Sequence, residues 1–462
     1  MKLYLEMIRA LFNKVIFREN KGTIIKNFSE SMGIVYIKLA QILATQNYGN
    51  LFTEEDREKL SSICDNCRPI SYKRIERILK KEYGNDLKKI FKYIDKKPVG
   101  SASVSQVHRG ILVNGDVVAI KIKRKDITNN IDKDIEKIRK LIHRYGKLFH
   151  FGNFKGADLA LDLYLDWILD EIDFDKEKEN IKVYSKYVDS VNGRVSLAND
   201  LRVPRVYEEY STSNVIVMEF VKTKTINKMD LTEENKKKIV SALNSYIQLN
   251  FWAMFNDKPI AFHGDPHSAN LSIDEYGNLW FLDMGLLFVL SEDESKLCRN
   301  FFLAIYMGNY EKLYEMLIIY SNLNDKQRKK FKGDIKKYID DVRDRNVTHY
   351  FIDLIGICLK FEFVPPAFLV NMAKAFICVY GISNFSSNNV GARDLLKNQV
   401  ALFMVKRSIN DFTDILVSSL NIIPDVLGSI SKTDNSDLKD NINKSFDDFK
   451  EVLDLLKGGL HF

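Results

Sequence analysis

The sequence has few cysteines and no long uncharged apolar run, and both absences narrow the class of protein. Five cysteines in 462 residues form a sparse, odd-numbered set, as expected in a reducing compartment and not in a disulfide-stabilised secreted domain. No stretch reaches the roughly 18 uncharged apolar residues of a membrane-spanning helix. The nearest candidate, residues 415–430, contains Pro424 and Asp425. We therefore expect a soluble or peripheral protein.

Positively charged residues only slightly outnumber negatively charged ones. The chain has 69 Lys and Arg against 62 Asp and Glu, a net charge of +7, which suits an anionic ligand or a negatively charged membrane surface. No basic block is interleaved with aromatic residues, so nucleic acid is not an expected partner. Glu6, Arg9 and Lys14 interrupt the first apolar run, which argues against a signal peptide. The expected location is the cytoplasm, with peripheral association at the inner face of the membrane.

The pattern of apolar residues divides the chain into four segments. Residues 1–95 have the apolar spacing of helices, with few Gly or Pro. Residues 96–222 contain a Gly/Ser cluster and three short β-rich runs, with a helical stretch at about 127–188 between the second and third runs. Residues 223–400 are mostly helical, apart from two short strands around a Tyr-Gly-Asn turn, and 401–462 form a helical C-terminal extension. This order predicts an α+β fold with a small β-rich lobe, a helical lobe and helical extensions at both ends.

The strongest chemical signal is His-Gly-Asp-Pro-His-Ser-Ala-Asn at 263–270, followed by Leu-Asp-Met-Gly at 282–285. Asp265 and Asn270 have the separation found in the catalytic loop of protein kinases, and Asp283 takes the place of the DFG aspartate. Asp265 would orient the phosphoryl acceptor or take its proton, while Asn270 and Asp283 would hold Mg²⁺ on the phosphates of ATP. A merely polar surface loop explains one such element but not two in series.

A lysine and a run of small residues upstream complete a candidate nucleotide site. Lys121 has the register of the lysine that holds the α- and β-phosphates in the VAIK strand, although an exposed strand face shared with Lys123 is the competing interpretation. Small residues before this strand would let backbone amides approach phosphates. They are Gly100, Ser101, Ala102 and Ser103. Glu219, at the end of the third β-rich run, is also assigned to cofactor binding.

The acidic run at 170–180 offers carboxylates that could hold this lysine. On a helix, Asp173 and Glu177 share a face at i,i+4, and Glu171 lies on the turn before. An acidic run is more often a solvated face, so the residues alone leave both interpretations open.

Taken together, the motifs resemble those of the UbiB (AarF/ABC1) family of atypical kinases over roughly residues 30–400. The family's KxGQ appears here as Lys-Leu-Ala-Gln at 38–41, and its AAASIGQVH loop as GSASVSQVH at 100–108. Its ExDFxxExxN motif occupies 171–180, and its FHxDPHxxN motif is followed by the DxG element.

The resemblance implies a bilobal protein-kinase-like fold that uses ATP and Mg²⁺, with Glu177 paired to Lys121. It also implies that Lys38 and Gln41 act in catalysis, on an N-terminal helix that folds over the active site and meets Glu171 and Asp173. Such a helix would obstruct a protein substrate, so the family is more similar to ATPases or small-molecule kinases.

The family is tied to isoprenoid quinone or lipid metabolism at membranes, which implies an isoprenoid or phenolic lipid ligand. Three departures from its motifs are Ala40 for the KxGQ glycine, Gly and Ser substitutions in the loop at 100–105, and Met284 for the DFG phenylalanine. A soluble small-molecule phosphotransferase remains an alternative, because HGDxxxxN also occurs in antibiotic kinases. A pseudokinase scaffold that binds nucleotide or lipid is a second alternative.

Two further patterns are interpreted as structural. The Cys64–Cys67 pair lacks the second CxxC or histidine pair that a zinc site needs. The aromatic segment at 361–380 is expected in the core, with an apolar groove for an isoprenoid tail as the alternative.

Overall fold

A computed structural model describes most of the chain between residues 20 and 385. The described ranges are 20–45, four residues within 53–59, 69–124, 131–145, 154–191, 194–342 and 347–385. The chain divides into two compact units, Met1–Val191 with Leu197–Leu395, and Asn192–Ser196 with Leu396–Phe462. All helices and strands below belong to the first unit, and the predicted extension at 401–462 lies outside the described residues.

The described residues form helices and strands in the mixed order of an α+β protein. The helices are α1 (Lys21–Met32), α2 (Ile34–Thr45), α3 (Tyr72–Tyr83), α4 (Leu87–Ile90), α5 (Ile131–Tyr145), α6 (Phe154–Glu171), α7 (Phe174–Val191), α8 (Glu233–Phe255), α9 (Glu292–Met307), α10 (Tyr310–Ile318), α11 (Asp325–Val342), α12 (Val347–Lys360) and α13 (Ala367–Phe385). The strands are β1 (Phe91–Ile94), β2 (Gly100–Ser101), β3 (Ser105–Leu112), β4 (Val117–Lys123), β5 (Leu201–Arg202), β6 (Val215–Glu219), β7 (Lys224–Thr225), β8 (Ile260–His263), β9 (Leu271–Ile273), β10 (Leu279–Phe281) and β11 (Leu287–Leu290).

The first sheet is antiparallel, in the order β1-β3-β4-β6, with β2 paired to β3. The turn between β3 and β4 contains Gly115 at φ 97°, a left-handed conformation that glycine adopts without strain. Successive side chains of β4 point to opposite faces. Val118, Ile120 and Ile122 pack beneath α3, so Lys121 lies on the other face, with Ala119, towards α7.

Two local expectations differ from the structure. Strand β1 falls inside the segment expected to be helical, and the first sheet therefore takes in residues before 96. Its pairing with β3 is a long-range contact that a four-residue apolar pattern does not reveal. The helical stretch expected at 127–188 is three helices, α5 to α7. The four-segment division of the chain stays a prediction.

The strands of the helical part bring two loops together. β9 and β10 form the antiparallel hairpin expected around Gly277, which has φ 90°, and β5 lies parallel to β10. β8 pairs with β11, so that the loop after β8 lies beside the loop between β10 and β11. The long helix α8 has a buried face, and the hydroxyl of its Tyr246 accepts from the N–H of His263 at the end of β8, at 3.0 Å. After β11 the described residues are helical, as expected.

The N-terminal helix α2 packs against α6 and the first sheet. Val35 and Tyr36 belong to the same apolar cluster as Ile168 and Phe174, and the hydroxyl of Tyr164 donates to the carbonyl of Val35. This hydrogen bond fixes the position of α2 along α6. In the described ranges, no helix is long and apolar enough to span a bilayer.

Candidate active site

The loop after β8 is held to the loop after β10 by one buried histidine. The ring nitrogen Nδ1 of His263 accepts from the N–H of Asp265 at 2.9 Å, so Nε2 carries the proton and donates to the carbonyl of Asp283. Burial lowers the pKa of His263 to about 4, which keeps the ring neutral and this tautomer in place. His263 therefore sets the distance between the two predicted catalytic aspartates.

Asn270 is positioned from both sides. Its Nδ2 donates to the carbonyl of Asp265 at 3.1 Å, and its own carbonyl accepts from the N–H of Leu282 at 2.8 Å. The amide oxygen Oδ1 forms no hydrogen bond with a described residue. The neighbouring Gly264 is closely packed, because a Cβ there would lie 2.5 Å from the side chains of Leu286 and Phe288. The loop thus presents one oxygen donor beside Asp283.

Lys121 is buried and bridges two carboxylates. Its ammonium lies 2.6 Å and 2.8 Å from the two oxygens of Glu177, and 2.7 Å from Oδ2 of Asp283. Burial alone would lower the pKa of Lys121, but the two carboxylates raise it. Burial alone would raise the pKa of Asp283, but Lys121 lowers it to about 2. The pair implied between Lys121 and Glu177 is present, and the exposed-face interpretation of Lys121 is wrong.

Helix α7 also fixes the loop that carries Asp283. Oε1 of Glu177 accepts from the N–H of Met284 at 3.3 Å, and Nδ2 of Asn180 donates to the Met284 carbonyl at 2.8 Å. Oδ1 of Asp283 accepts from the N–H of Gly285 at 3.0 Å. Sequence reasoning assigned no role to Asn180. Its place three residues after Glu177, on the same helix face, is the signal that predicts one.

Lys38 reaches this site from α2. Its ammonium pairs with the carboxylate of Glu171, and it lies 3.8 Å from Oδ2 of Asp265. The side chain of Gln41 is outside the described set. Asp173 was expected to meet Lys38, but it is exposed, and its carboxylate accepts from the backbone N–H groups of Asp175 and Lys176. Its described role is the N-cap of α7.

The expected nucleotide loop is short, and hydrogen bonds restrain part of it. The backbone N–H of Ala102 donates to the Ser105 carbonyl at 2.9 Å, and Arg124 donates to the hydroxyl of Ser101 at 2.5 Å. Gly100 and Ser101 form β2, and Ser103 is buried. Oε2 of Glu219 accepts from the backbone N–H of Arg205 at 3.2 Å. Whether this loop and Glu219 contact nucleotide stays a prediction.

Sequence reasoning missed a group on α13 that surrounds Asp265. The thiol of Cys378 lies 3.5 Å from Oδ1 of Asp265. Burial alone would raise the pKa of Asp265. Nearby positive charges instead hold this pKa well below its usual range, and Lys374 has the largest effect among them. The ammonium of Lys374 lies 4.8 Å from the ring centre of Trp167 on α6. Helix α13 carries no motif, so only the fold reveals these contacts.

The other face of α13 is core, as expected. Met372, Ala375 and Phe376 line an apolar cavity with side chains of α8, and its volume is about 30 Å³. Such a volume accommodates one or two waters. This cavity is too small for an isoprenoid tail, and the alternative of an apolar groove along 361–380 stays a prediction.

Sequence reasoning also missed a second group, which links the first sheet to the residues that precede it in the chain. The side-chain amide of Gln106 bonds both the N–H and the carbonyl of Ile70, at 2.9 Å and 3.2 Å. Gln106 also donates to Nε2 of His108 at 2.9 Å, so Nδ1 of His108 donates to the Asp95 carbonyl at 2.7 Å. The Gln and His of the GSASVSQVH motif are therefore structural supports for the loop.

Comparison with known proteins agrees with this geometry. A family model described as the ABC1 atypical kinase-like domain matches residues 62–317, more than half of the chain. The chain therefore belongs to the ABC1 family of atypical kinase-like proteins. The expected resemblance and the expected α+β, bilobal kinase-like fold are confirmed.

Curated relatives carry names from the same family. The chain is 27% identical over 331 residues to an uncharacterised chloroplastic aarF domain-containing protein kinase of Arabidopsis thaliana, covering 69% of this chain and 58% of that protein. It is 27% identical over 296 residues to a probable protein kinase UbiB of Histophilus somni, covering 62% and 52%. The chain thus spans about half the length of these relatives.

A similar solved structure is that of Rv3197 with erythromycin from Mycobacterium tuberculosis. It has 18% identity and a TM-score of 0.40, over 84% of this chain and 97% of that chain.

Proposed function

We propose that this protein is a Mg-ATP-dependent atypical kinase or ATPase of the UbiB type, acting at a membrane in isoprenoid quinone or lipid metabolism. The observation that carries the proposal is the buried bridge of Lys121 to Glu177 and Asp283, next to Asp265 and Asn270. Phosphoryl transfer needs a cation on the phosphates, a carboxylate and an amide for the metal, and a carboxylate near the acceptor. These five side chains supply that set.

The residues present fit ATP and Mg²⁺. Magnesium prefers hard oxygen ligands in small number, and retains water and phosphate oxygens for the rest. Asn270 Oδ1 and the carboxylate of Asp283 are such donors, and they would hold the ion, which neutralises charge on the phosphates when bound. Lys121 would bind the phosphates, and Asp265 would orient the acceptor hydroxyl and take its proton.

The position of Lys38 favours a small acceptor over a polypeptide. Helix α2 places this ammonium 3.8 Å from Asp265 and against Glu171, where a protein substrate would otherwise approach. A phenolic or isoprenoid lipid, or water, is an acceptor of this kind. It also favours the UbiB-type function over a soluble phosphotransferase, in which this helix has no role.

Turnover by the pure protein tests the proposal. ATP hydrolysis and nucleotide-induced thermal shifts would be measured with Mg²⁺ and with EDTA, with and without lipid vesicles and phenolic quinone-precursor mimics. We expect Mg-dependent hydrolysis that Asp265→Asn reduces about 100-fold or more, the range of a lost general base. Nucleotide binding without hydrolysis under every condition would instead indicate a pseudokinase, and the absence of both would contradict the proposal.

A further inference from the structure

Helix α11 carries a concentration of positive charge far from the active-site residues in sequence. Residues 325–337 include seven Lys or Arg and two Asp, a net charge of +5. The whole chain has a net charge of only +7. Asp340 and Asp341 follow this stretch, so the whole of α11 has a net charge of +3 and the positive charge is concentrated in residues 325–337.

The positive side chains lie on one face of α11. The opposite face is buried through Phe331, Ile335 and Ile339. The exposed face follows i,i+3 and i,i+4 spacing around Gly333, where an added Cβ would meet only open space. Its lysines, here called the basic face, are Lys326, Lys329, Lys330, Lys336 and Lys337.

These lysines form no close ion pairs, although Asp340 and Asp341 lie one turn beyond Lys336 and Lys337. None of the five forms an ion pair within 4.0 Å with any residue that the structure describes. The lysines that flank this face do so, since Lys332 pairs with Glu311 and Lys360 pairs with Asp334. Lys336 lies 5.6 Å from the ring centre of Tyr310.

The charge is also placed where it disfavours the helix. Asn324 and Gln327 form a reciprocal cap, each side chain bonding the other's backbone N–H, and this cap fixes the helix start. Lys326, Lys329 and Lys330 then occupy the first two turns. The positive end of the helix dipole disfavours Lys326 in the first turn, although Asp325 in the same turn offsets part of this effect.

Two exposed apolar side chains lie in the connection that precedes α11. Ile319 is 71% exposed and Tyr320 is 41% exposed, in the connection from α10 to α11. Large exposed apolar residues next to lysines are the pattern of a surface that enters the headgroup region of a bilayer. Nucleic acid or an acidic protein explains the lysines but not the projecting isoleucine.

We propose that the basic face of α11, together with Ile319 and Tyr320, docks the protein on an anionic lipid bilayer. The face extends about 16 Å along the helix at 1.5 Å per residue, enough for several lipid headgroups. The lysines bind the headgroups, and the two apolar side chains enter the interface. The proposal rests on the membrane part of the proposed function and does not depend on nucleotide turnover.

Vesicle co-sedimentation of the full chain tests the proposal. The vesicles are phosphatidylcholine alone, or phosphatidylcholine with one third phosphatidylserine, each at low and high salt. The test variant is the triple Lys326→Gln, Lys329→Gln, Lys330→Gln. A matched control removes the same charge from exposed positions on α3 and α4, as Lys73→Gln, Lys81→Gln, Lys88→Gln. A second test variant is Ile319→Ser, Tyr320→Ser.

We expect the parent to bind the anionic vesicles at low salt. The α11 triple should bind at least tenfold more weakly, given a loss of about fivefold per lysine near an anionic surface. The control triple should stay within about threefold of the parent, as a screened, distant charge change allows. The Ser double variant should lose whatever binding survives high salt.

Three outcomes contradict parts of the account in distinguishable ways. If the parent binds neither vesicle, the membrane part of the proposed function fails together with this docking surface. If the parent binds and the α11 triple binds equally well, the docking surface is wrong while membrane association stands. If the control triple weakens binding as much as the α11 triple, net charge and not this face is responsible, and the proposal is overturned.

Discussion

Lys38 of α2 lies 3.8 Å from Asp265, the carboxylate in the loop after β8. The same ammonium pairs with Glu171 at the end of α6. One lysine thus joins the N-terminal helix, the helix before α7 and the catalytic loop. An ordinary kinase lobe has no such contact, so this relationship distinguishes the site from the general kinase arrangement.

The first prediction concerns the metal. Asp283→Asn removes the negative charge that would hold Mg²⁺, so we predict loss of the Mg-dependent part of the ATP-induced thermal shift. The matched control is Asp189→Asn, an exposed aspartate on α7. A Mg-dependent shift in Asp283→Asn as large as in the parent would show that the assignment is wrong.

The second prediction concerns the buried bridge. Lys121→Ala leaves Glu177 and Asp283 without their shared cation, so we expect the free energy of unfolding to fall by about 3 kcal/mol. Lys123→Ala, two residues along the same strand and half-buried, should cost less than about 1 kcal/mol. Urea unfolding at neutral pH measures both.

A double variant separates the charge effect from lost packing. Lys121→Ala with Glu177→Gln removes one of the two stranded carboxylates, and should recover about 1 kcal/mol or more of the loss. Equal stability of the single and double variants would mean that the bridge is not energetically coupled.

The third prediction concerns Cys378, whose thiol lies 3.5 Å from Asp265. A small thiol-modifying reagent, methyl methanethiosulfonate, would add a group against this carboxylate and block turnover. We expect inhibition in a Cys64→Ser, Cys67→Ser background and resistance when Cys378→Ala is added. All three remaining thiols are buried, but Cys378 is 9% exposed whereas Cys298 and Cys358 are fully buried. Burial raises the pKa values of Cys298 and Cys358, so they should react more slowly than Cys378. Equal inhibition with and without Cys378 would refute the contact's importance.

The fourth prediction is a pH dependence of stability. Burial lowers the pKa of His108 below its ordinary value of 6.5, so the unfolded chain binds a proton more readily than the folded one. The contribution of His108 is present above pH 6.5 and is lost as the pH falls below it. Protonation would also turn Nε2 into a donor facing the amide donor of Gln106.

The matched test uses His108→Leu, which cannot titrate. We expect the parent to lose more unfolding free energy between pH 7.5 and pH 5.5 than this variant does, although the variant starts lower. Parallel losses in the two proteins would show that another group controls the acid sensitivity.

Short motifs with fixed spacing were sufficient to identify several residues that lie together in the candidate site. The separation of Asp265 and Asn270, and the register of Lys121 in its strand, identified groups that the fold does bring together. Local pattern also predicted the hairpin turn at Gly277, which occupies a left-handed backbone conformation that few other residues tolerate.

What the sequence did not reveal depends on long-range packing. Strand β1 is recognised only through its pairing with β3, and Lys374 and Cys378 reach Asp265 only because α13 packs against the helical lobe. Asp173 was placed at the site by resemblance, yet its nearest backbone donors make it a helix cap. A spacing rule gives neighbours on one helix, but not which helix crosses the site.

The central claim is that the N-terminal helix completes the Mg-ATP site through Lys38. The direct measurement is steady-state ATP hydrolysis together with labelled-phosphate incorporation, comparing Lys38→Ala with Lys26→Ala of helix α1. Removing Lys38 leaves Glu171 and Asp265 close together without their shared cation, which changes nucleotide affinity and the charge near the acceptor. We predict that Lys38→Ala changes the hydrolysis rate at least several-fold and permits autophosphorylation, while Lys26→Ala matches the parent. If both variants match the parent in both assays, the N-terminal helix has no part in the chemistry and the account is wrong.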